Sequence, residues 1–163
     1  MEKNNGNYLL SDIMNIAEKN SLRFERFPNA YDFDVETCID ASKARGVPLE
    51  REIKHVVFEF REGLFMVHVQ GDKFISNRKV KNFLSIKNLK KANLTKHFNN
   101  KFRKGTVCPF IEPFFSMNHL VDESLLNFDW LSTNDGTLRG YIIFETSLLT
   151  HLNRIHFGNF SKD

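Results

Sequence analysis

The sequence predicts a single domain of mixed α/β or α+β class. The chain has 163 residues, of which 41% are hydrophobic and 26% are charged, so it can bury one ordinary core. It carries 17 Phe but only one Trp, and large aromatic side chains suit half-buried strands better than a plain helix bundle. Helical patterns alternate with strand-like runs along the chain, which indicates that both kinds of element share the core.

Two helices and a strand are predicted in the first third of the chain. Apolar residues at helical spacing predict a helix that ends near Asn20; they are Leu9, Ile13, Ile16 and Ala17. A strand at residues 22–27 ends before Pro28. A second helix over residues 35–45 ends at Gly46-Val47-Pro48, because a Gly stop with Pro just beyond it is typical of helix C-termini.

A β-hairpin is the clearest local signal. Residues 55–60 and 64–69 are rich in strand-forming side chains and are joined by Arg61-Glu62-Gly63. Residues 70–72 (QGD) end the second run. We therefore expect a hairpin in the centre of the sheet.

Short elements are predicted over the rest of the chain. Ser76 is a candidate N-cap for a helix that turns Val80, Phe83 and Leu84 inward, and a short helix over residues 95–102 would stop at Gly105. Strands are expected at residues 119–121, 130–132 and 141–144, followed by a closing helix from Thr146 that buries Leu148, Leu149, Leu152 and Ile155.

Basic residues are concentrated in one stretch of the chain. Residues 73–111 hold eleven of the 23 Lys and Arg residues and no acidic residue, although the formal net charge of the chain is only +3. Such a block commonly neutralises a polyanion such as nucleic acid; a solvated basic face without a partner is the alternative. The candidate phosphate-binding residues are Lys90, Lys91, Lys101 and Lys104.

Several classes of protein are disfavoured. The polar start at residues 1–7 and the lack of roughly 18 consecutive apolar residues predict neither a signal peptide nor a membrane span, so a cytoplasmic protein is expected. Glycine-rich phosphate loops, G-x-S-x-G and H-E-x-x-H are missing. Cys38 and Cys108 lack zinc-site spacing, and His151 and His156 fall on different helical faces. These residues therefore indicate no metal site.

Lys54 is an unusual residue in the first strand of the hairpin. The period of two places it on the same face as Val56, Phe58 and Phe60. It is either a lysine that snorkels from the end of the strand, or a fixed cation at the rim of a pocket that can hold a carbonyl or phosphate oxygen.

The segment Gly105-Thr106-Val107-Cys108-Pro109 is a second candidate site. A Gly followed by a turn that ends in Pro can hold backbone N–H groups exposed toward a nucleotide or an ester, although a helix stop leading into a strand has the same pattern. Cys108 is either a buried small hydrophobe or a nucleophile, and no His or Asp is placed by sequence as its activating partner.

Several motifs occur in a fixed order. The run from Ala41 to Phe58 (ASKARGVPLEREIKHVVF) joins a helix, a GVP turn and a lysine-bearing strand. It is followed by residues 69–72 (VQGD), the G-x-x-x-P loop at 105–109, residues 121–126 (VDESLL) and a final strand and helix. In this order the motifs resemble the YbaK/ProX family of aminoacyl-tRNA editing domains. The resemblance covers about residues 24–152 of one expected domain, 1–163, with residues 1–23 as an N-terminal helical extension.

The resemblance implies a compact α/β domain with a curved, mixed β-sheet flanked by helices. It further implies a trans-editing hydrolase that removes a wrong amino acid from tRNA of the proline type or a related one. Lys54 would orient the aminoacyl ester, residues 105–109 would place the 3′-terminal adenosine, and the substrate's own 2′-hydroxyl would replace a protein nucleophile. The implied partners are a tRNA acceptor end and an aminoacyl-tRNA synthetase, with no membrane and no cofactor, in a monomer or weak homodimer. The alternative is a non-catalytic tRNA-binding module of the same fold.

The sequence also departs from the family pattern. Lys104 stands where many members have a second Gly, and His55 follows the lysine where Thr, Ser or Asn is common. Residues 130–140 match neither the cysteine-specific nor the alanine-specific form of the family. Only Ser132 and Gly140 carry over as candidate substrate-binding residues, which leaves the edited amino acid open.

Overall fold

A computed structural model describes residues 5–61 and 63–163 of the chain. Residues 1–4 of the predicted N-terminal extension and Glu62 of the predicted turn lie outside the described residues. The α-helices are α1 (Asn5–Lys19), α2 (Cys38–Arg45), α3 (Asn77–Leu84) and α4 (Leu94–Phe98). The strands are β1 (Phe24–Phe27), β2 (Ile53–Phe60), β3 (Gly63–Gln70), β4 (Phe74–Ile75), β5 (Lys90–Lys91), β6 (Asn118–Asp122), β7 (Trp130–Asn134), β8 (Tyr141–Glu145), β9 (Ile155–Gly158) and β10 (Ser161–Lys162). Segments of 3₁₀ helix cover Leu49–Arg51, Glu123–Asn127 and Thr146–His151.

The sheet is mixed, and the predicted α/β class is confirmed. Five strands lie in the order β5-β2-β3-β6-β9, antiparallel on the β2 side and parallel from β3 to β9. A three-stranded antiparallel sheet, β1-β8-β7, meets the main sheet through a parallel bridge between Glu52 and Ser132. The pair β10-β4 forms a third, small sheet.

The predicted hairpin lies in the centre of the main sheet. Phe60 pairs with Gly63, so the loop between the strands has two residues, and His55 lies opposite His68. On its other edge β2 pairs with β5 at Phe58 and Glu59, and the Ala92 N–H donates to the Val57 carbonyl (2.9 Å). Among the described residues, no strand extends this pairing along Ile53–Val56, so that part of the edge stays open.

The two faces of the main sheet are covered by different apolar clusters. The largest cluster packs α1 and the 3₁₀ segments at residues 123–127 and 146–151 against the three-stranded sheet. On the same face of the hairpin, Val57 and Met66 pack against Phe114. On the other face Phe58, Val67 and Val69 pack against Val80 of α3 and Phe160. Burying aromatic and branched side chains on both faces holds the hairpin rigidly between two layers.

Four elements differ from the prediction. Helix α2 begins at Cys38 instead of residue 35, because the Thr37 side chain caps it by accepting from the Asp40 N–H (3.1 Å). Helix α4 ends at Phe98 and not at residue 102, since Asn99 and Asn100 adopt positive φ values of 50° and 61°.

The other two differences concern helix α3 and the predicted closing helix. Phe83 of α3 was predicted to face inward but is 47% exposed, with its ring edge-on to Phe160. The predicted closing helix is a 3₁₀ segment that ends at His151. Leu148, Leu149 and Leu152 are buried as expected, whereas Ile155 opens strand β9.

Asp122 fixes the C-terminal strand to the body of the domain. Its side chain is buried, and Oδ1 accepts from the Phe160 N–H (2.7 Å). Oδ2 accepts from the Ser161 hydroxyl (3.1 Å) and from the hydroxyl of Ser124. Because β10 pairs with β4, this carboxylate also determines where Lys162 lies relative to Phe74.

Replacing Asp122 by Ala is expected to destabilise the protein and release β10. Removing the carboxylate leaves several buried donors unpaired, which costs about 2–4 kcal/mol of unfolding free energy. Urea unfolding measures the loss, and hydrogen exchange should show faster exchange of the Phe160 and Ser161 amides. Asp32→Ala, at an exposed Asp, is the control. Unchanged exchange of both amides in Asp122→Ala would contradict this account.

Candidate active site

A cavity of about 720 Å³ lies along the open edge of β2. Its walls come from the chain leading into α2, from β2 itself, and from the segments around Phe74, Lys91 and Gly105. The short β5 leaves this edge uncovered, and α2 stands across from it. A concave site of this size can enclose most of a nucleoside-sized ligand.

Lys54 contributes a half-buried cation to this cavity. Its Nζ donates to the carbonyl oxygen of Lys73 (2.5 Å) and lies 4.7 Å from the ring centroid of Phe74. Lys54 shares its sheet face with Val56 and Phe58, as the period of two predicts, and all three also line a neighbouring cavity. The ammonium group is thus held at the junction of two cavities by one carbonyl and one aromatic ring.

The Gly105–Pro109 segment reaches the cavity with part of its length. Gly105 has a φ of 90°, and a Cβ there would lie 2.8 Å from the backbone of Glu36 and of Val35, so only Gly fits. Gly105 and Val107 line the cavity. Thr106 is not among its lining residues; its hydroxyl donates to the Arg103 carbonyl (2.8 Å).

Cys108 and Pro109 are buried behind the loop. Cys108 belongs to the main apolar cluster, and burial raises the pKa of its thiol to about 12. Cys38 does line the cavity, but burial raises the pKa of its thiol to about 11, and the thiol lies 3.6 Å from the Ile53 carbonyl. Neither cysteine has the thiolate character of a nucleophile at neutral pH.

The four predicted phosphate-binding lysines separate into two pairs. Lys91 and Lys104 line the cavity. Lys90 turns to the other side of β5, where its Nζ lies 3.5 Å from Glu59 Oε2, and Lys101 lies over the ring of Phe102. The structure therefore brings Lys91 and Lys104 together with Lys54, and it leaves Lys90 and Lys101 outside this group.

Ser132 and Gly140 lie in the second layer of the site. The Ser132 hydroxyl is buried, 3.4 Å from Arg45 Nη1. A side chain on Gly140 would collide with the Asp135 carboxylate. Neither residue lines the cavity.

A buried ion pair closes the inner end of the cavity. Arg45 Nη1 donates to Glu52 Oε2 (2.8 Å), and the two side chains are 4% and 1% exposed. Burial raises the pKa of Glu52, opposed by the charge of Arg45 and by the Ser132 hydroxyl. Glu52 Oε1 has no hydrogen-bond partner among the described residues. No pattern in the sequence indicates this pair, because Arg45 and Glu52 meet only across the Gly46–Pro48 turn.

Three histidines form a hydrogen-bonded chain beneath the cavity. His55 Nδ1 lies 2.7 Å from His68 Nδ1, and His68 Nε2 lies 2.8 Å from His119 Nδ1. The far end, His119 Nε2, faces the Phe115 carbonyl (3.2 Å), and the near end, His55 Nε2, faces the Thr133 hydroxyl (2.6 Å). A carbonyl can only accept, so neutral His119 carries its proton on Nε2 and accepts at Nδ1. His68 therefore donates from Nε2 to His119 Nδ1, and His55 donates from Nδ1 to His68 Nδ1. His55 Nε2 is then an acceptor, and Thr133 donates to it.

Burial keeps this chain of imidazoles neutral. It lowers the pKa of His55 to about 3, with smaller contributions from His119 and Arg45. Burial likewise lowers the pKa of His68 well below its ordinary value and lowers that of His119. His55 lines the cavity, but both of its ring nitrogens are engaged, so it is a weak base.

Over residues 5–61 and 63–163, no group of three His, Cys, Asp or Glu side chains is arranged to hold a metal ion. In the same residues no helix is both long and apolar enough to cross a bilayer.

Comparison with known proteins gives a family match over most of the chain. Residues 33–149 match the model of the aminoacyl-tRNA editing domain. A proline–tRNA ligase of Fervidobacterium nodosum is 36% identical over 59 residues, which make up 36% of this chain and 10% of that enzyme. The chain thus spans a tenth of that relative's length.

Solved structures share the fold across nearly the whole chain. One is described as a candidate trans-editing enzyme for prolyl tRNA synthetase; it has a TM-score of 0.72 and 18% identity, covering 95% of this chain and 98% of the other. A hypothetical protein of known structure has a TM-score of 0.74 and 17% identity, covering 92% and 99%. At such identities the likeness concerns the fold.

The histidine chain predicts that the fold loses stability in mild acid. Below about pH 6.5 the unfolded chain takes up protons on these histidines that the folded chain excludes. The unfolding free energy therefore decreases as the pH is lowered, by up to about 1.4 kcal/mol per pH unit for each histidine that stays neutral in the folded protein. Urea unfolding between about pH 7 and pH 5.5 measures this slope. His55→Gln should reduce it, whereas His151→Gln, at an exposed histidine, should not. A slope that is the same in all three proteins would contradict the assignment.

Proposed function

This chain belongs to the family of aminoacyl-tRNA editing domains, and we propose that it is a trans-editing hydrolase for mischarged tRNA. Its substrate would be an aminoacyl-tRNA of the proline type or a related one, and its products the free amino acid and the tRNA. The likeness to a candidate prolyl-tRNA trans-editing enzyme supports this assignment, as does the short match to a proline–tRNA ligase. A synthetase is the second partner that we propose.

The observation that carries the proposal is the meeting of Lys54 and the Gly105 loop on one cavity. The cavity volume of about 720 Å³ suits an aminoacyl group together with a terminal adenosine. Lys91 and Lys104 add positive charge to the same walls, which favours an RNA end because phosphates are drawn to fixed cations.

Lys54 acts in this scheme as a fixed cation for the ester carbonyl. The ammonium group of a lysine donates hydrogen bonds and cannot accept one, so it is suited to orienting the ester carbonyl. Its Nζ would exchange the Lys73 carbonyl for the ester carbonyl oxygen, whose negative charge grows as water attacks. Donors aimed at such an oxygen are worth several kcal/mol in the transition state, about 3–4 for one donor.

The surroundings of the cavity favour activation of water by the substrate itself. His55 has a pKa of about 3 and both nitrogens engaged, and the thiols of Cys38 and Cys108 have raised pKa values. In our proposal the 2′-hydroxyl of the terminal ribose positions the water. The water oxygen bonds to the carbonyl carbon, the bond to the ribose 3′-oxygen breaks, and that oxygen takes up the proton that the water releases.

Lys54→Ala should leave the fold intact and reduce deacylation by at least about a hundredfold, the usual effect of losing one oxyanion donor. Single-turnover hydrolysis of an alanyl-tRNA of the proline type measures the change, and thermal unfolding checks the fold. Lys87→Ala is the matched control, since Lys87 is exposed in the same basic stretch and lines neither cavity. Near-normal turnover in folded Lys54→Ala would remove Lys54 from the centre of the site. Tight tRNA binding without hydrolysis by the wild type would favour the non-catalytic module.

The role of the substrate hydroxyl is tested by a tRNA that ends in 2′-deoxyadenosine and is acylated with alanine at its 3′ position. It should bind almost normally and be hydrolysed at least about a hundredfold more slowly, because the group that positions the water is gone. Alanine is chosen since a cysteine thiol could attack its own ester. Equal single-turnover rates for the ribo and deoxy substrates would show that a protein side chain activates the water.

A further inference from the structure

A second cavity continues from the main one on the far side of Lys54. Its volume is about 510 Å³. The residues shared by the two cavities are Lys54, Val56, Phe74 and Lys91. A ligand in the main cavity can therefore extend into the second one past Lys54 without leaving the surface of the protein.

The second cavity carries an excess of positive charge. Lys54, Lys91 and Lys162 line it, against one acidic side chain, Asp163. Strand pairing fixes these positions, because Lys162 lies opposite Phe74 in the β10–β4 pair. Lys91 in turn lies opposite Phe58 in the β2–β5 pair. Cations from three separate elements thus line the cavity that also holds the ring of Phe74.

Phe74 is an exposed aromatic ring at the junction of the cavities. It is 60% exposed, the highest exposure of any large apolar side chain among those that the structure describes. The ammonium group of Lys54 lies 4.7 Å from its ring centroid. An open ring flanked by lysines is the arrangement by which proteins bind a single-stranded base and its phosphate.

We propose that the second cavity binds the nucleotide that precedes the terminal adenosine of the RNA. Its base stacks on Phe74, and Lys91 and Lys162 hold the phosphate groups on either side of it. The inference rests on the proposed function, which places the terminal adenosine and its ester in the main cavity. Lys162 and β10 lie beyond residues 33–149, so this subsite includes an element outside the family match.

A nucleotide fits this surface better than an acidic peptide does. The three lysines line one cavity with an exposed aromatic ring, and an aromatic platform adds binding energy for a base that it does not offer to a carboxylate side chain. The cavity is also continuous with the proposed ester site, so a base and an ester joined by one backbone can occupy both at once.

Two dinucleotides test the subsite in the unaltered protein. One is cytidylyl-adenosine with a 5′-phosphate, so that a phosphate stands on either side of the cytosine; the other carries an abasic ribose in place of the cytidine, with the same charge and the same adenosine. Cytidylyl-adenosine should bind at least about fivefold more tightly in a calorimetric titration, since one stacked base contributes that much or more. Equal affinities, or no binding of either at about 1 mM, would overturn the proposal. So would displacement of cytidylyl-adenosine by a short glutamate peptide at equal concentration.

Four variants test which side chains cause the preference for the dinucleotide that carries the base. Phe74→Ala should bring the two affinities together, and Lys162→Gln should weaken both dinucleotides and flatten their salt dependence. Phe83→Ala and Lys87→Gln, at an exposed ring and an exposed lysine outside both cavities, should change neither. A preference that persists in folded Phe74→Ala would overturn the stacking assignment.

The titrations do not depend on hydrolysis. A wild-type protein that deacylates mischarged tRNA but does not distinguish the dinucleotides would refute the subsite and leave the proposed function standing. A protein that distinguishes them but hydrolyses no mischarged tRNA would keep the subsite and lose the proposed activity.

Discussion

The site depends on one interrupted strand pairing. Strand β2 spans Ile53–Phe60, yet its outer neighbour β5 is two residues long and pairs with it at Phe58 and Glu59. A longer β5 would cover the edge at Ile53–Val56 and fill the space that the cavity occupies. Because β2 is also packed on both faces and paired with β3 along its whole length, the open edge is rigid. Lys54 and His55 therefore present their side chains from a fixed backbone to a site that needs precise positions.

The charges at the inner end of the site cancel, and the charged side chains along the rest of its walls include more lysines than carboxylates. Arg45 and Glu52 cancel each other at the inner end, and the three imidazoles beneath the floor carry no charge at neutral pH because burial lowers the pKa of each. Lys54, Lys91 and Lys104 also line the cavity, together with the carboxylates of Glu36 and Asp72, and Glu36 is paired with Arg103. Phosphate groups are attracted by the lysines, whereas the neutral inner end suits the uncharged ester and base of the proposed substrate.

The sequence predicts much of the fold because its strongest signals are local. The period of two identifies β2 and β3, and Ser76 and Gly46 mark the ends of α3 and α2. The errors arise where pairing partners are distant in sequence: Ile155 opens β9 because it pairs beside His119 in β6, which no local pattern reveals. Lys54 and Gly105 could be identified from the motifs of the chain. The histidine chain could not, since placing His55 opposite His68 requires a two-residue loop, whereas three turn residues were expected.

The two cysteines of this chain are placed so as to resist oxidation. Peroxide reacts with the thiolate, and at pKa values of about 11 and 12 no more than about one thiol in ten thousand is ionised at pH 7. Cys108 is in addition sealed inside the apolar core. Oxidants that inactivate enzymes with an ionised active-site cysteine should therefore leave this protein's thiols in place. The part of the cavity wall that Cys38 forms would then keep its shape in the presence of peroxide.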